Sequence, residues 1–170
     1  MNNKSDLRKW AKSVRKNLNM TLISSLIVEK VIVSDFFKLS HNIMIFYPLA
    51  NEVNLLPLLK FSDKNFYLPR INNDNLECCS YLQNDILKKS EFNTYEPISN
   101  KINPSILDLI FVPALAVDTN NYRLGYGKGF YDRFLLNLHA LKIVPIAHEL
   151  VVNSIYHESH DLPVDLIITQ

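Results

Sequence analysis

A ten-residue segment, Arg123–Asp132, concentrates residue types that bind phosphate groups. It holds all three glycines of the chain, which are Gly125, Gly127 and Gly129. A globular protein of this length averages roughly twelve glycines, so glycine is kept here where φ is positive or where something approaches the backbone closely. Backbone amides ahead of a helix bind an anion, and Arg123 and Lys128 add positive charge. The pattern predicts a phosphate site; the alternative is a tight turn without a ligand.

The glycine spacing differs from both standard nucleotide motifs. A Walker A loop requires Gly-Lys followed by Ser or Thr, whereas Lys128 is followed by Gly129. The dinucleotide fingerprint is G-x-G-x-x-G, and this chain has G-x-G-x-G. The segment therefore predicts phosphate binding without belonging to either motif.

Two carboxylates are candidates for a magnesium site beside this loop. Asp132 lies in the first turn of the helix that should follow, and Asp161 lies in a turn just before the last strand. Magnesium in phosphoryl-transfer sites is held by one or two carboxylates together with phosphate oxygens and water. The alternatives are structural, because Asp132 also complements a helix dipole and Asp161 is also a turn residue before Pro163.

Charged residues elsewhere extend this set. Lys4, Arg8, Lys12 and Arg15 form one stripe of the N-terminal helix, and Lys4, Arg8 and Arg15 border its apolar face, although a solvated basic face is the usual explanation for such a run. Glu52 follows the first predicted strand, at a junction where a carboxylate can face a substrate. His157 and His160 do not match H-E-x-x-H, so they predict no metal site.

The elements that must position these residues alternate along the chain. Helices are predicted over 3–19, within 21–39, from Asn51 to Lys60 and over 129–141, and strands over 43–47, 65–68, 76–82, 107–112, 143–147 and 164–169. Pro69 should end the second strand, and 85–104 is unassigned. Apolar strands alternating with helices predict an α/β fold with a mostly parallel, Rossmann-like three-layer sheet and helices on both faces.

Composition limits the function classes. The length of 170 residues suits a single domain, 1–170. The 18 basic and 17 acidic residues leave a net charge of +1, so general attraction to nucleic acid or membranes is not expected. Cys78 and Cys79 are adjacent and fit neither a disulfide framework nor a zinc motif. The chain lacks a secretory signal pattern and a membrane-length apolar run, so a cytoplasmic location is expected. A monomer is expected as well.

Two further function classes compete with a nucleotide enzyme. Lys128–Tyr131 superficially resembles the start of an RNA-recognition motif, but that motif lies on a strand and has an aromatic residue where Asp132 stands. An α/β sugar-phosphate isomerase could use the same loop for a phosphoester without ATP. Dependence of turnover on ATP discriminates such an isomerase from an enzyme that uses ATP.

The sequence resembles one enzyme family over nearly its whole length. Val112–Asp118 followed by Arg123–Phe134 closely resembles the signature of the 5-formyltetrahydrofolate cyclo-ligases, also called methenyltetrahydrofolate synthetases. Shorter segments occur in the family's order: Lys4–Arg8, Tyr47–Val53, Leu68–Arg70, Glu96–Pro97 and His160–Thr169.

The resemblance implies two ligand sites, magnesium and an ATP-dependent reaction. The implied ATP residues are Lys4, Ser5, Asp6, Leu7, Arg8, Arg123, Leu124, Gly125, Tyr126, Gly127, Lys128, Gly129, Phe130 and Tyr131. The implied folate residues are Tyr47, Glu52, Tyr126, Gly127, Lys128, Gly129 and Phe130. Asp132 and Asp161 would hold Mg²⁺, and Lys128 and Arg123 would be catalytic. The implied reaction phosphorylates the formyl oxygen of 5-formyltetrahydrofolate with ATP, so that N10 can attack and close the methenyl ring.

The chain also departs from the family pattern. Ala114 stands where glycine is usual, and Val117 where an aromatic residue is frequent, so both are expected to alter the wall of the pocket. Asn121 replaces a turn glycine, and Leu150 a common glutamine. None of the four lies in the phosphate loop or at the two acids.

Overall fold

Helices and strands alternate along residues 3–170, the part of the chain that this computed structural model describes. The α-helices are α1 (Lys4–Lys16), α2 (Met20–Val33), α3 (Asp35–Leu39) and α4 (Phe130–Leu135). Short 3-10 helices cover Leu56–Lys60, Pro104–Ile106 and His148–Leu150. The strands are β1 (Asn42–Met44), β2 (Asn65–Asn72), β3 (Asn75–Ser80), β4 (Leu87–Lys89), β5 (Tyr95–Pro97), β6 (Lys101–Ile102), β7 (Leu109–Phe111), β8 (Ala116–Asp118), β9 (Arg123–Leu124), β10 (Leu141–Pro145), β11 (Val151–Val152) and β12 (Leu166–Ile168).

The central sheet has seven strands in the order β12-β10-β7-β1-β2-β3-β6. The first five are mutually parallel, and β3 and β6 join as an antiparallel edge. Ile43 of β1 pairs with Phe66 on one side and Leu109 on the other, and all three are buried. Parallel strands buried on both faces need apolar residues at successive positions, which explains the apolar runs in the sequence. The predicted α/β fold with a mostly parallel sheet is confirmed.

Helix α1 forms where its periodicity predicts. The Asn3 side chain accepts a hydrogen bond from the Asp6 amide at 2.9 Å and caps the helix, while Leu7 and Ala11 enter the core. The predicted helical stretch 21–39 is two helices, because Ser34 has an extended backbone and its hydroxyl caps α3 by accepting from the Phe37 amide. Across residues 3–170, no helix is long and apolar enough to cross a membrane.

The prediction that Pro69 ends the second strand is wrong, because β2 continues to Asn72. The Phe66 carbonyl accepts from the Tyr81 amide, so alternate residues such as Leu68 and Arg70 turn their polar backbone groups toward β3. The missing N–H of Pro69 falls on the other side, where β1 has already ended at Met44. A proline is tolerated at such an unpaired edge.

Other predicted bounds also differ. Helix α4 ends at Leu135 rather than near Leu141, because Leu136 is extended and Asn137 has a φ of +67°. The predicted helix from Asn51 to Lys60 is only the 3-10 turn Leu56–Lys60, with Pro57 near its start. The unassigned segment 85–104 forms the β4–β5 hairpin and then β6.

Asparagine takes the conformational role of glycine in the turns of this chain. In residues 3–170, the non-glycine residues with positive φ are Asn73, Asn84, Asn93, Asn121, Asn137 and Tyr156. Asparagine tolerates the left-handed region better than other side chains, so turns form without glycine. At Asn121 the φ of +64° is a conformation that glycine adopts readily in turns.

Candidate active site

A cavity of about 310 Å³ opens where the ends of several elements meet. The whole segment Arg123–Asp132 lines it, together with Lys4 and Arg8 from α1. The opposite walls come from the segment after β1, from β2 and β3, from the β4–β5 hairpin and from the turn before β12: Phe46, Tyr47, Leu49, Glu52, Pro69, Ile71, Leu76, Phe92, Thr94, Glu96, Pro113, His160 and Asp161. The fold thus brings residues from most of the chain to one cavity.

The glycine loop joins β9 to α4. Gly127 has a φ of +103° and Gly129 a φ of +65°, and Gly129 is the N-cap residue of α4, so both positions disfavour a side chain. Gly125 differs, because a Cβ built there would meet no protein atom within 4 Å among the described residues. Positive φ thus explains glycine at Gly127 and Gly129. At Gly125 the space beside the backbone is open. The predicted strand 107–112 is β7 in the structure, and the two short strands β8 and β9 lie between it and the loop.

The basic stripe of α1 faces this loop. The Arg8 Nε atom donates to the Gly125 carbonyl at 2.9 Å, and the Lys4 ammonium lies 2.5 Å from an Asp161 carboxylate oxygen. The Lys12 ammonium lies 5.9 Å from the centre of the Tyr126 ring. The stripe is therefore not a purely solvated face, since it packs along the glycine loop.

The structure does not bring the intervening residues Ser5, Asp6 and Leu7 to the cavity. Ser5 is exposed, Asp6 interacts with Asn3 at the start of α1, and Leu7 is in the core with 2% exposure. Residues four apart share a helix face, so Lys4 and Arg8 face the loop while the residues between them point elsewhere.

Arg123 and Asp132, predicted as a phosphate contact and a metal ligand, pair with each other. Arg123 is 4% exposed, and its Nη2 atom donates to Asp132 Oδ1 at 2.9 Å. The charge of Arg123 is therefore already balanced by a carboxylate. Lys128, in contrast, is exposed and its ammonium group has no hydrogen bond or ion pair within residues 3–170. Lys128 is the cation of the loop that is available to an incoming anion.

Asp132 and Asp161 lie at the same end of the cavity. The Leu162 amide lies 3.5 Å from Asp132 Oδ1, which places Asp132 beside the turn that carries Asp161. Burial opposes the ionisation of Asp161, but hydrogen bonds from Lys4 and from the Glu158 amide outweigh it, and its pKa lies below the ordinary value. Asp161 is therefore ionised at neutral pH, as a ligand of a hard cation must be.

No cluster of three or more metal-ligating side chains occurs within residues 3–170. A divalent cation at Asp132 and Asp161 would therefore need phosphate oxygens and water to complete its coordination. Mg²⁺ is characteristically held in this way, by one or two carboxylates beside a phosphorylated substrate. The donor set fits magnesium, and Lys4 and Arg123 are in contact with the two acids.

Glu52 is held at the end of the cavity that is lined by Tyr126. The Tyr126 hydroxyl donates to Glu52 Oε1 at 2.7 Å, and the Leu49 amide donates to Oε2 at 2.9 Å. Arg15 Nη1 lies 3.8 Å from Glu52 Oε1, and Arg15 also donates to the Ala114 carbonyl. Burial and the adjacent Glu52 carboxylate raise the pKa of Tyr126, so its hydroxyl stays a donor. The sequence placed Arg15 in the basic stripe but gave it no role at Glu52.

Several polar atoms around the cavity have no partner in the protein. Within residues 3–170, the buried side-chain atoms without a hydrogen bond are Arg15 Nε, Glu96 Oε1, Arg123 Nε and Tyr131 Oη. Three of these four residues line the cavity. Burial is the main reason that the pKa of Tyr131 is raised, so its hydroxyl is protonated. Unpaired buried polar groups are costly, and a ligand would satisfy those at the cavity.

The departures Val117 and Leu150 lie in the core and do not line the cavity, so the expectation that Val117 alters its wall is wrong. Ala114 is buried too, and its carbonyl accepts from Arg15. The effect expected of Ala114 on the wall is therefore indirect at most.

Arg70 links the β2–β3 wall of the cavity to the chain after β5 through hydrogen bonds. It donates to Glu77 Oε2 at 2.8 Å and to the Ser99 carbonyl at 2.7 Å. The hydrogen bond from Arg70, aided by Asn72 and Lys101, lowers the pKa of Glu77 to about 2. Glu77 is therefore ionised throughout the ordinary pH range, and its side chain is only 11% exposed.

Glu77→Gln is expected to lower the free energy of unfolding by about 1 to 2 kcal/mol at pH 7. A carboxylate with a depressed pKa stabilises the fold above its unfolded pKa of about 4.3, and the contribution is lost as pH falls toward 2. Urea denaturation of both proteins at pH 7 and pH 3 measures this. An equal difference at the two pH values would contradict the ionic role of Glu77.

The chain is similar to known proteins over its whole length. The model of the "5-formyltetrahydrofolate cyclo-ligase family" matches residues 1–170. The 5-formyltetrahydrofolate cyclo-ligase of Haemophilus influenzae is 32% identical over 114 residues, covering 62% of this chain and 61% of that protein. The enzyme of the same name from Mycoplasma genitalium is 30% identical over 133 residues, covering 75% and 71%.

A solved structure has the same architecture. The NMR structure of Aquifex aeolicus 5,10-methenyltetrahydrofolate synthetase superimposes with a TM-score of 0.84 at 31% identity, covering 96% of this chain and 88% of that one. The match by the family model spans the full sequence, including the glycine loop and both carboxylates. The chain therefore belongs to the 5-formyltetrahydrofolate cyclo-ligase family.

Proposed function

We propose that this protein uses Mg-ATP to convert 5-formyltetrahydrofolate to 5,10-methenyltetrahydrofolate, releasing ADP and phosphate. One observation carries the proposal: a single cavity combines the glycine loop, the available cation Lys128, two adjacent carboxylates and the buried acid Glu52. Family membership gives the reaction class. The geometry supports a phosphate end at α1 and the loop, and a folate end at Glu52 and Tyr47.

The proposed chemistry overcomes the low reactivity of a formamide. The formyl oxygen attacks the γ-phosphorus of ATP, ADP leaves, and the formyl carbon becomes strongly electrophilic. N10 then attacks this carbon and loses its proton, and phosphate departs with the former formyl oxygen. The product is the cationic methenyl ring. Little covalent chemistry is asked of the protein, which must position the groups and neutralise charge.

Each residue of the phosphate end has a role that follows from its position. Lys128 would contact the transferring phosphoryl group, and the amides of the loop would donate to phosphate oxygens around the open space at Gly125. Asp132 and Asp161 would hold Mg²⁺, which supplies charge neutralisation to the nucleotide. Lys4 and Arg123, paired with these acids here, would then be free to turn toward the phosphates.

At the folate end, we propose that Glu52 and Tyr47 bind the substrate. A carboxylate has about four acceptor positions, and the Tyr126 hydroxyl and the Leu49 amide occupy two of them in Glu52. The remaining capacity suits N–H groups of the folate.

The single-domain organisation over 1–170, a cytoplasmic location and a monomeric state stay predictions.

The direct test is a turnover assay with purified protein and 5-formyltetrahydrofolate. The formation of methenyltetrahydrofolate is followed by its ultraviolet absorbance, with ADP measured in parallel. We expect one ADP for each product molecule and no product when ATP is omitted. Folate turnover that does not depend on ATP would contradict the proposal, and phosphoester turnover without ATP would favour an isomerase.

The structure disfavours the RNA-binding alternative. Phe130 and Tyr131 lie in helix α4, whereas the aromatic residues of an RNA-recognition motif lie on a strand. Their side chains line the cavity together with Asp132, whose charge would repel RNA.

Asp132→Asn is expected to raise the Mg²⁺ concentration needed for half-maximal turnover by about tenfold or more, because a carboxylate ligand is lost. The amide still accepts a hydrogen bond from Arg123, but this buried guanidinium loses its counter-charge, so the free energy of unfolding should also fall, by about 3 kcal/mol. Turnover is measured against Mg²⁺ at fixed ATP, with the exposed Asp63→Asn as the matched control. If the Asp132→Asn and wild-type curves superimpose, Asp132 is not part of the metal site.

A further inference from the structure

Glu96 brings an unused acceptor to the cavity. It lies on β5 and lines the cavity, and its Oε1 atom is buried without a hydrogen bond from any of the described residues 3–170. The other unpaired buried atoms are nitrogen donors in Arg15 and Arg123 and the Tyr131 hydroxyl. Glu96 Oε1 is thus the one carboxylate oxygen among them. Leaving such an oxygen unpaired is costly unless a ligand pairs with it.

The Glu96 side chain is held in place by its surroundings. The Ile71 amide, the Ser90 side chain and the cations Arg70 and Lys88 lie close enough to favour its ionised form. Burial outweighs these influences and raises its pKa above the ordinary value. Arg70 also donates to the carbonyls of Pro97 and Ser99, which fixes the end of β5. The carboxyl group is therefore oriented before any ligand arrives.

Glu96 differs from Glu52 in this respect. Both oxygens of Glu52 already accept hydrogen bonds from the protein, from Tyr126 and from the Leu49 amide. Glu96 has one buried oxygen without a hydrogen bond from any of the described residues. A carboxylate oxygen accepts only, so its partner must carry an N–H or O–H group. Ionised phosphate and carboxylate groups of a ligand are excluded at this position, and its N–H or O–H groups fit there.

The position of β5 favours the folate over the nucleotide as the ligand that donates a hydrogen bond to Glu96. The Thr94 hydroxyl donates to the Tyr47 carbonyl at 3.3 Å, and the rings of Tyr47 and Tyr95 lie 5.1 Å apart. Glu96 therefore shares a wall with Tyr47, which we have placed at the folate end. Next to it in the cavity lie the apolar side chains Ile71 and Phe92, which suit the face of a fused ring.

We infer that Glu96 is a substrate-binding residue that accepts a hydrogen bond from an N–H group of the reduced pteridine ring. The inference rests on the proposed function, because it takes 5-formyltetrahydrofolate as the ligand. Glu96 would bind the ring equally in the ground state and in the transition state, so it should act on KM rather than on kcat. Its role is to fix the ring while N10 approaches the formyl carbon.

The test compares Glu96→Gln with Glu91→Gln, an exposed glutamate on the same hairpin. Calorimetry measures the Kd of each protein for 5-formyltetrahydrofolate and, separately, for Mg-ATP, and steady-state kinetics give KM and kcat. For Glu96→Gln we expect the folate Kd and KM to rise by about tenfold or more, the loss of a hydrogen bond to a charged acceptor. The Mg-ATP Kd and kcat should stay within about twofold, and Glu91→Gln should match the wild type.

An unchanged folate Kd in Glu96→Gln, or a rise confined to the Mg-ATP Kd, would overturn the inference while leaving the proposed function intact. Failure of the wild-type protein to bind or convert the folate would overturn both. Glu96→Asp provides a second variant that keeps the charge but withdraws the oxygen by one methylene group. It should also weaken folate binding if Glu96 contacts the ring, and circular dichroism checks that each variant is folded.

Discussion

Lys128→Ala is expected to lower the ATP-dependent kcat by about 10²- to 10³-fold, because a cation aimed at the transferring phosphoryl group is worth several kcal/mol in the transition state. The melting temperature should change little. Lys128 is exposed, and its ammonium group has no partner within residues 3–170, so its removal breaks no interaction of the fold. Stopped assays of ADP release and thermal unfolding by circular dichroism measure the two effects.

The matched control for this experiment is Lys9→Ala. Lys9 is exposed on α1 next to Arg8 but does not line the cavity, so its removal tests general charge loss near the site. It should leave kcat within about twofold. Retained turnover in Lys128→Ala would remove Lys128 from the reaction, and a collapse of the fold would support a structural role for the loop instead.

Glu52→Gln is expected to have two separable effects. The KM for 5-formyltetrahydrofolate should rise by about 10- to 100-fold, because a charged acceptor is lost, while the KM for ATP stays nearly constant. The free energy of unfolding should fall by about 3 kcal/mol, because the Arg15 guanidinium is left buried without its counter-charge. The side chains of Arg15 and Glu52 are 7% and 6% exposed, so water cannot compensate.

The double variant Glu52→Gln with Arg15→Met separates these effects. Removing both members of a buried charged pair is far less costly than removing one, so much of the lost stability should return. The raised folate KM should not be rescued. If the double variant recovers the wild-type KM, Glu52 acts only by pairing with Arg15 and does not bind the folate.

The residues of the phosphate end could be predicted from sequence because their signals are local. Three glycines within five residues, cations four residues apart on one helix, and a carboxylate in the first turn of α4 are all visible in short windows. Their convergence at one cavity follows from the parallel sheet, which gathers the ends of its strands along one edge. The resemblance supplied the identity of the ligands.

The folate end was less predictable because it depends on contacts between distant segments. Glu96 is positioned by Ile71 and Arg70, more than twenty residues earlier, and its hairpin lies in a segment that the sequence left unassigned. The pairing of Arg15 with Glu52 joins residues whose proximity no periodicity encodes. Pro69 misled the strand prediction because its tolerance depends on where the neighbouring strand β1 ends.

The central claim, that the loop 125–129 binds the phosphates of a nucleotide, can be measured directly because every glycine of the chain lies in it. Labelling the protein with ¹⁵N-glycine gives NMR amide signals from Gly125, Gly127 and Gly129 alone. On titration with Mg-ATP, we expect these signals to shift strongly and to saturate. Three signals that stay in place at high Mg-ATP concentration would contradict the account.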